Sequence, residues 1–281
     1  MENNLSKMLV NLFDDAFRHL PISVHGKTSD TIEYVRDRVF WGGVTLFTDN
    51  YISTPTATRV TCPYKIGWIL ESRSLIPQVY ETLPSFIDQY DFVLTHDKHL
   101  LEEFPEKTKK VIFGGCWVEE ASYKVYPKSK NLSMIYSPKK FMPGHKLRHA
   151  IAESSIEGLD LFGWGSPTPI EKKEQALMDY RYSIVIENDR RTNYFTEKLL
   201  DCFATGTLPI YYGCPNIGDY FDTEGVIKLD SLEQLASIIP TLTEDLYQSK
   251  ISSIRRNFSN FKEYAITEDW LYTNILKEYN K

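Results

Sequence analysis

The sequence predicts an α/β fold built from two Rossmann-like halves, each with a mainly parallel sheet. Short apolar runs rich in β-branched residues alternate with helical patterns along most of the chain, which is typical of parallel sheets covered by helices. A chain of 281 residues is also long enough to divide into two domains. Neither an internal repeat nor a low-complexity segment interrupts the alternation.

The first domain is expected to span residues 1–125. Its predicted strands lie at residues 8–13, 44–48, 65–70, 92–95 and 110–114, and its predicted helices at residues 31–38, 79–89 and 98–104. The polar sequence YPKSKN at residues 126–131 is the best candidate for a linker, because no apolar periodicity runs through it.

The second domain is expected to span residues 132–260. Its predicted strands lie at residues 132–136, 159–162, 182–186, 208–212 and 226–229, and its predicted helices at residues 145–154, 170–179 and 232–242, besides the helix discussed next. Residues 261–281 have a helical pattern in which Trp270, Leu271 and Ile275 are expected to pack on a surface, and the first domain is the candidate.

The most informative stretch is residues 182–213 (YSIVIENDRRTNYFTEKLLDCFATGTLPIYYG), which predicts a strand, a polar loop, a helix and a second strand. The helix has a candidate N-cap at Asn193 or Thr196 and a stop at Gly206. The loop of such a βαβ unit lies at the carboxyl end of its first strand, where open α/β sheets bind ligands.

This loop and the first helical turn are dense in polar groups that suit a nucleotide sugar. A diphosphate is bound by cations and helix N-termini, and a sugar by carboxylate and amide groups. The alternative is an ordinary helix start, in which Glu and Lys are solvated surface residues. Lys198 is expected to contact the diphosphate and, as an exposed first-turn lysine, to contribute little to stability. The predicted donor-binding residues here are Glu187, Asn188, Arg190, Tyr194, Glu197 and Lys198.

The same residues carry a family resemblance. Glu187-Asn188, a short loop, Thr196-Glu197-Lys198, a helix and then Gly206, Pro209 and Gly213 resemble the C-terminal motif of glycosyltransferase family 10, the α-1,3/1,4-fucosyltransferases. The sequence LDLFGWG at residues 159–165 resembles the strand and glycine turn that precede this motif. The resemblance is clearest over residues 132–222.

The resemblance implies a GT-B fold, in which two Rossmann-like domains face a central cleft, and inverting, metal-independent transfer. It suggests GDP-fucose as the donor, contacted by Tyr194, Glu197 and Lys198, and a glycan as the acceptor. The charged loop Asp189-Arg190-Arg191 departs from the family, so another nucleotide sugar such as a UDP-pentose (UDP-xylose) stays open as the donor. A non-catalytic nucleotide- or glycan-binding protein is the alternative from another class.

The basic segment SPKKFMPGHKLRH at residues 137–149 is a second candidate for holding the diphosphate. Pro143 and Gly144 suit a tight turn between a strand and a helix, so Lys146 and Arg148 would surround a helix N-terminus. Cations oppose the helix dipole there, which favours a functional reason for them. Lys146 and Arg148 are therefore also predicted to bind the donor.

A general base is expected at Glu71, in the sequence KIGWILESRS, where a buried strand ends. An inverting transfer needs a base to accept the proton of the acceptor hydroxyl, and a partly desolvated glutamate can have its pKa raised toward neutral pH. The alternative is a surface ion pair of Glu71 with Arg73 or Lys65.

Composition excludes other classes. A net charge of −6 and a pI near 5.6 argue against a nucleic-acid-binding protein. No apolar run reaches 18 residues, the first residues are acidic where a signal peptide is apolar, and the four cysteines have no paired spacing, so a cytoplasmic protein of bacterial or viral origin is expected. His96 and His99 have helical spacing without a cluster of further ligands, so we expect neither a metal nor a cofactor.

Overall fold

The computed structural model describes residues 6–280, and the chain divides into two compact units. The first unit contains the chain up to Phe113 together with the chain from Ile266 onward, and the second unit contains residues 114–265. Every strand pair within each of the two sheets is parallel. The predicted α/β fold class is confirmed.

The first unit has a six-stranded sheet with strand order β2-β1-β3-β4-β5-β6. Its strands are β1 (Met8–Phe13), β2 (Ile32–Arg36), β3 (Val44–Thr48), β4 (Tyr64–Trp68), β5 (Phe92–Thr95) and β6 (Thr108–Lys110), and its helices are α1 (Thr56–Arg59), α2 (Pro77–Thr82) and α3 (Lys98–Glu103). The chain leaves β1 for β2 on one side and returns to β3 on the other, so the strand order reverses between β1 and β3.

Two secondary-structure predictions in this unit were wrong. Residues 31–38 form strand β2 instead of a helix, because Ile32 to Arg36 pair in register with Met8 to Leu12 of β1 and this pairing overrides a short helical periodicity. The predicted strand at residues 110–114 lies earlier, at Thr108–Lys110, where it pairs with β5.

The second unit has a five-stranded sheet with strand order β11-β10-β9-β7-β8. Its strands are β7 (Lys130–Ile135), β8 (Leu159–Phe162), β9 (Tyr180–Ile186), β10 (Leu208–Tyr212) and β11 (Ile227–Lys228), and its helices are α4 (Pro143–Glu153), α5 (Glu197–Thr205), α6 (Leu235–Ile238), α7 (Glu244–Ser249) and α8 (Ile251–Asn260). Here the strand order reverses between β7 and β9.

The segment at residues 126–131 is not a free linker. The Lys128 ammonium donates to the carbonyl oxygens of Leu177 (3.2 Å), Met178 (3.0 Å) and Thr205 (2.9 Å), and burial lowers its pKa to about 7. Strand β7 already begins at Lys130. These contacts tie the segment to the second unit.

The start of the second unit lies earlier than the sequence predicts. The N–H groups of Gly115 and Cys116 donate to the carbonyl oxygens of Tyr264 and Ala265, both at 2.9 Å, and the carboxylate of Asp201 accepts from the N–H of Trp117 at 2.7 Å. Residues 114–125 therefore pack with the second unit.

The predicted helix at residues 170–179 is also shorter than expected. Only a 3-10 turn at Lys173–Ala176 forms, and within it the buried carboxylate of Glu174 accepts a hydrogen bond from the N–H of Glu119 (2.7 Å).

Helix α9 (Thr267–Asn274) belongs to the first unit. Leu271, Ile275 and Leu276 are buried in the core that covers one face of its sheet, and the carboxylate of Glu268 accepts a hydrogen bond from the N–H of Ser23 at 2.7 Å. None of the helices in residues 6–280 is both long enough and apolar enough to span a membrane.

Candidate functional site

The candidate site lies in the second unit, at the carboxyl ends of β7 and β9, where the strand order reverses. Ligands of open α/β sheets bind in the crevice at this point, because the loops on either side run in opposite directions. Helix α4 follows β7 and helix α5 follows β9, so the N-termini of both helices lie at the carboxyl edge of the sheet.

The start of α5 is fixed by Glu187 and Thr196. Thr196 is the N-cap, and its hydroxyl accepts from the N–H of Lys198. The carboxylate of Glu187 accepts from the N–H of Thr196 (2.9 Å) and from its hydroxyl (2.7 Å). Glu187 is fully buried, and burial raises the pKa of its carboxyl. One carboxylate thus joins the end of β9 to the beginning of α5.

Lys198 completes a compact ionic network with two carboxylates. Its ammonium lies 3.0 Å from the Glu197 carboxylate, 3.1 Å from the Thr196 hydroxyl and 3.8 Å from the Glu187 carboxylate. Burial alone would raise the pKa of Glu197, but the ammonium groups of Lys198 and Lys173 outweigh it and lower that pKa to about 2. Only 20% of the Lys198 side chain is exposed, so the expectation of an exposed first-turn lysine was wrong.

The N-terminus of α4 packs directly on the loop after β9. The N–H of Gly144 donates to the carbonyl oxygen of Asn188 at 3.1 Å. The buried Arg148 donates to the carbonyl oxygen of Ile186 (2.9 Å) and to the side-chain oxygen of Asn188 (2.8 Å). Arg148 therefore brings a cation to the site while it holds the loop that contains Glu187 and Asn188.

Substitution of Gly144 by Ala is expected to destabilise the protein by ~1–3 kcal/mol. Alanine normally stabilises a helix relative to glycine, but a Cβ at residue 144 would lie 1.8 Å from the backbone oxygen of Glu187, and backbone cannot move aside cheaply. Denaturant unfolding measures the effect. Gly42→Ala is the matched control, since a Cβ there meets nothing within 4 Å. Equal stability of the two variants would contradict the close approach.

The charged loop at residues 189–194 is held largely by pairs within the second unit. Arg190 forms an ion pair with Asp230 and lies over the ring of Tyr212, and Arg191 lies 2.9 Å from the Asp189 carboxylate. Asn193 has a left-handed backbone (φ 62°) and binds the side chain of Asn216. The charges that departed from the family pattern thus have structural partners.

A pocket of about 140 Å³ lies beside this loop, at the carboxyl end of β10. Ile217, Val226 and Leu229 form apolar walls, and Arg190 and Lys228 supply cations. Apolar walls beside cations suit an aromatic base attached to a phosphate. Apart from Arg190 and Gly213, the pocket residues were missed in the sequence, although the Gly213-Cys214-Pro215 turn after β10 was a usable signal.

Tyr211 connects the pocket to the ionic network. Its buried hydroxyl lies 3.4 Å from the Glu187 carboxylate, to which it donates, and accepts from the N–H of Cys214 at 3.0 Å. A Cβ at Gly213 would lie 2.3 Å from that hydroxyl, so only glycine fits there. In the sequence, Tyr211 is recognisable only as part of a predicted strand, without a functional role.

Two further residues, Tyr194 and Lys146, are predicted to contact the donor. Tyr194 is 2% exposed, and Lys146 is exposed on α4. Both stay predictions, as do the donor-binding roles of Glu187, Asn188, Arg190, Glu197, Lys198 and Arg148. Apart from Lys146, these residues lie in loops and helix starts that interact with one another. Tyr194 and Glu197, for example, interact electrostatically with Arg148.

Glu71 lies in the first unit, half-buried, just beyond the end of β4. The hydroxyl of Tyr80 donates to the carbonyl oxygen of Glu71 at 2.7 Å. Arg73 forms an ion pair with Asp97 at 3.0 Å, and Lys65 donates to the carbonyl oxygen of Ala57 at 2.8 Å. Arg73 and Lys65, the cations that the alternative interpretation pairs with Glu71, thus bind these other groups. The role of Glu71 as a base stays a prediction.

Within residues 6–280, no group of three or more His, Cys, Asp or Glu side chains has a metal-binding arrangement. His99 lies 3.6 Å from Glu103 on the exposed face of α3, and His96 is buried after β5.

Comparison with known proteins gives matches to fucosyltransferases over part of the chain. No protein-family model matches the chain. It is 34% identical over 73 residues to an α-(1,4)-fucosyltransferase of Arabidopsis thaliana and 26% identical over 70 residues to the α-(1,3)-fucosyltransferase FucT of Helicobacter pylori. Each match covers 25% of this chain but only 18% and 15% of the respective relative.

Solved structures give a match over nearly the whole chain. A crystal structure of an α1,3-fucosyltransferase has a TM-score of 0.57 at 14% identity and covers 95% of this chain and 93% of its own. A structure of an α1,3-fucosyltransferase with GDP-fucose has a TM-score of 0.55 at 12% identity and covers 92% and 90%. The chain therefore has a GT-B fold with two parallel-sheet units and resembles the α-1,3/1,4-fucosyltransferases of glycosyltransferase family 10.

Proposed function

We propose that this protein is an inverting glycosyltransferase that moves fucose from GDP-fucose to a hydroxyl of a glycan without a metal ion. The observation that carries the proposal is the buried network of Glu187, Thr196, Glu197 and Lys198 at the reversal of strand order in the second unit. Buried ionic groups cost desolvation energy and are expensive to keep for stability alone.

The chemistry of the network and of its surroundings fits a nucleotide sugar. The Glu197 carboxylate, ionised at any pH above about 2, can accept hydrogen bonds from sugar hydroxyls. Lys198 and Arg148 carry positive charge, and the N-termini of α4 and α5 add partial positive charge that favours phosphate. The neighbouring pocket with its apolar walls is suited to the base.

The similar proteins support fucose as the sugar. Two matching relatives are named fucosyltransferases, and one structural neighbour was solved with GDP-fucose. A UDP-sugar is the competing donor, and ligand-dependent thermal stability distinguishes it from GDP-fucose.

We assign general-base catalysis to Glu71 of the first unit. In an inverting transfer the base accepts the proton of the acceptor hydroxyl while the oxygen attacks the anomeric carbon and the nucleoside diphosphate leaves. Lys198 and Arg148 are proposed to neutralise the leaving diphosphate, which is the work that a metal ion does in other transferases.

Ligand-dependent thermal stability tests the donor. GDP or GDP-fucose at about 100 times its dissociation constant should stabilise the second unit by ~2.7 kcal/mol, and UDP or UDP-xylose at the same concentration should not. Arg148→Met should abolish the shift, whereas Lys98→Met should keep it, because the Lys98 side chain is 65% exposed on α3. A shift with UDP-xylose alone would overturn GDP-fucose as the donor.

The same preparation tests metal independence. Transfer from GDP-fucose to a glycan acceptor should proceed in EDTA at a rate near that without chelator. Activity that is lost in EDTA and restored only by Mn²⁺ would contradict the role given to Lys198 and Arg148.

A further inference from the structure

Asp49 has an unusual backbone at the carboxyl edge of the first sheet. It follows β3 directly and has a φ of 39°, in the left-handed region that residues other than glycine seldom adopt. Its side chain is nearly fully buried. Such a conformation is strained and persists where the surrounding structure enforces it, which makes it a reason to look for a role.

The turn at Asp49 directs its carboxyl group to the end of the neighbouring strand. The last paired residues of β3 and β4 are Thr48 and Trp68, so the N–H groups beyond Trp68 have lost their strand partner on that side. One oxygen of Asp49 accepts from the N–H of Leu70 at 2.8 Å and from the N–H of Glu71 at 3.4 Å. The side chain thus takes the place of the missing backbone.

We propose that Asp49 is a positioning residue that holds Glu71 in the orientation required for proton transfer. This inference rests on the proposed function, because it needs Glu71 to be the base. Asp49 fixes the N–H of Glu71 while the hydroxyl of Tyr80 fixes its carbonyl oxygen, so the backbone of the base is held on both sides. The location agrees with the topology, since the strand order of this sheet reverses between β1 and β3.

The charge state of Asp49 suits this role. Burial and the nearby carboxylates of Glu71 and Asp15 raise its pKa to about 8, although the N–H groups of Leu70 and Glu71 oppose the rise. Tyr80 of α2 is the other titratable group that interacts with it. This shift in the pKa of Asp49 favours the protonated carboxyl, which can accept the two hydrogen bonds without placing a second full negative charge beside the base.

Two substitutions separate positioning from a general structural role. Asp49→Asn keeps an oxygen acceptor, tolerates the left-handed backbone and mimics the protonated carboxyl, so its turnover at pH 7 should stay within ~3-fold of wild type. Asp49→Gly relieves the backbone and should fold, but it removes the acceptor. Its kcat should fall by ~10²-fold with an unchanged Kd for GDP, because a small displacement of a catalytic group is enough for such a loss.

Asp37→Gly is the matched control. Asp37 also follows a strand of the same sheet, β2, and also has a positive φ of 57°, but its carboxylate pairs with Arg18. Its kcat should equal that of wild type. A kcat of Asp49→Gly equal to that of Asp37→Gly, or an Asn variant as slow as the Gly variant, overturns the inference.

Amide hydrogen exchange supplies a readout that does not depend on transfer. Exchange at Leu70 and Glu71 should accelerate in Asp49→Gly and stay near wild type in Asp49→Asn, and unchanged exchange in the Gly variant overturns the inference by itself. Glu71→Gln separates the assignment of Glu71 as the base from the positioning role of Asp49. If it retains the wild-type rate, the base assignment fails; if it is slow while Asp49→Gly is not, only the positioning role fails.

Discussion

Glu71→Gln is expected to lower the rate of transfer by ~10²- to 10⁴-fold while the affinity for GDP stays at its wild-type value. Glutamine has nearly the same size and keeps hydrogen-bonding groups, but it cannot accept the proton of an acceptor hydroxyl. Glu71 is proposed to act on the acceptor hydroxyl and is not among the predicted donor-binding residues, so the substitution should leave nucleotide binding intact. Calorimetry with GDP and turnover on one preparation measure both quantities.

Glu81→Gln is the control for Glu71→Gln, because Glu81 is an exposed glutamate on α2 of the same unit. It should transfer sugar at the wild-type rate. A near-normal rate for Glu71→Gln would eliminate Glu71 and return the strand-end carboxylates Asp14, Asp15 and Asp49 to consideration. Among these, Asp14 is held by the N–H groups of Ala16 and Phe17, so Asp15 would be the first to test.

The central βαβ unit was predictable because its signals are local. Buried β-branched residues mark β9, Thr196 was one of two candidate N-caps of α5, and Gly206 ends that helix in the left-handed conformation with φ 69°. Strand β2 was not predictable in the same way. Its short pattern fits a helix or a strand, and pairing with β1 decides between them.

The residues of the site could be predicted from the sequence, but the contacts between them could not. The polar loop after β9 shows in the sequence, whereas the contacts of Gly144 with Asn188 and of Tyr211 with Glu187 join elements whose adjacency depends on strand order. A Glu-Lys pair in a first helical turn is ordinary, and nothing local shows that a buried glutamate ten positions before Glu197 will lie against this pair. Burial of Lys198 is therefore the main correction to the sequence analysis.

Because Lys198 is buried, Lys198→Met should reduce the free energy of unfolding by ~3–5 kcal/mol. The substitution leaves the buried Glu187 and Glu197 carboxylates without the Lys198 ammonium group. For a chain of this size the loss corresponds to a fall in Tm of ~6–20 °C. The sequence alone suggested a change of a degree or two, as for an exposed lysine.

The loss in Lys198→Met should depend on pH with a definite sign. Without the ammonium group the folded-state pKa of Glu187, already raised by burial, rises further, and only Lys173 is left to oppose the effect of burial on the pKa of Glu197. The folded protein therefore binds protons more tightly than the unfolded chain does, and the variant loses stability as pH rises from 5 to 8. Lys198→Arg keeps the charge and should retain most of the stability, and Lys98→Met, at an exposed position, should melt like wild type. A Tm for Lys198→Met within two degrees of wild type at pH 8 would show that the two carboxylates do not need this cation. The ionic network would then not be what stabilises the start of α5.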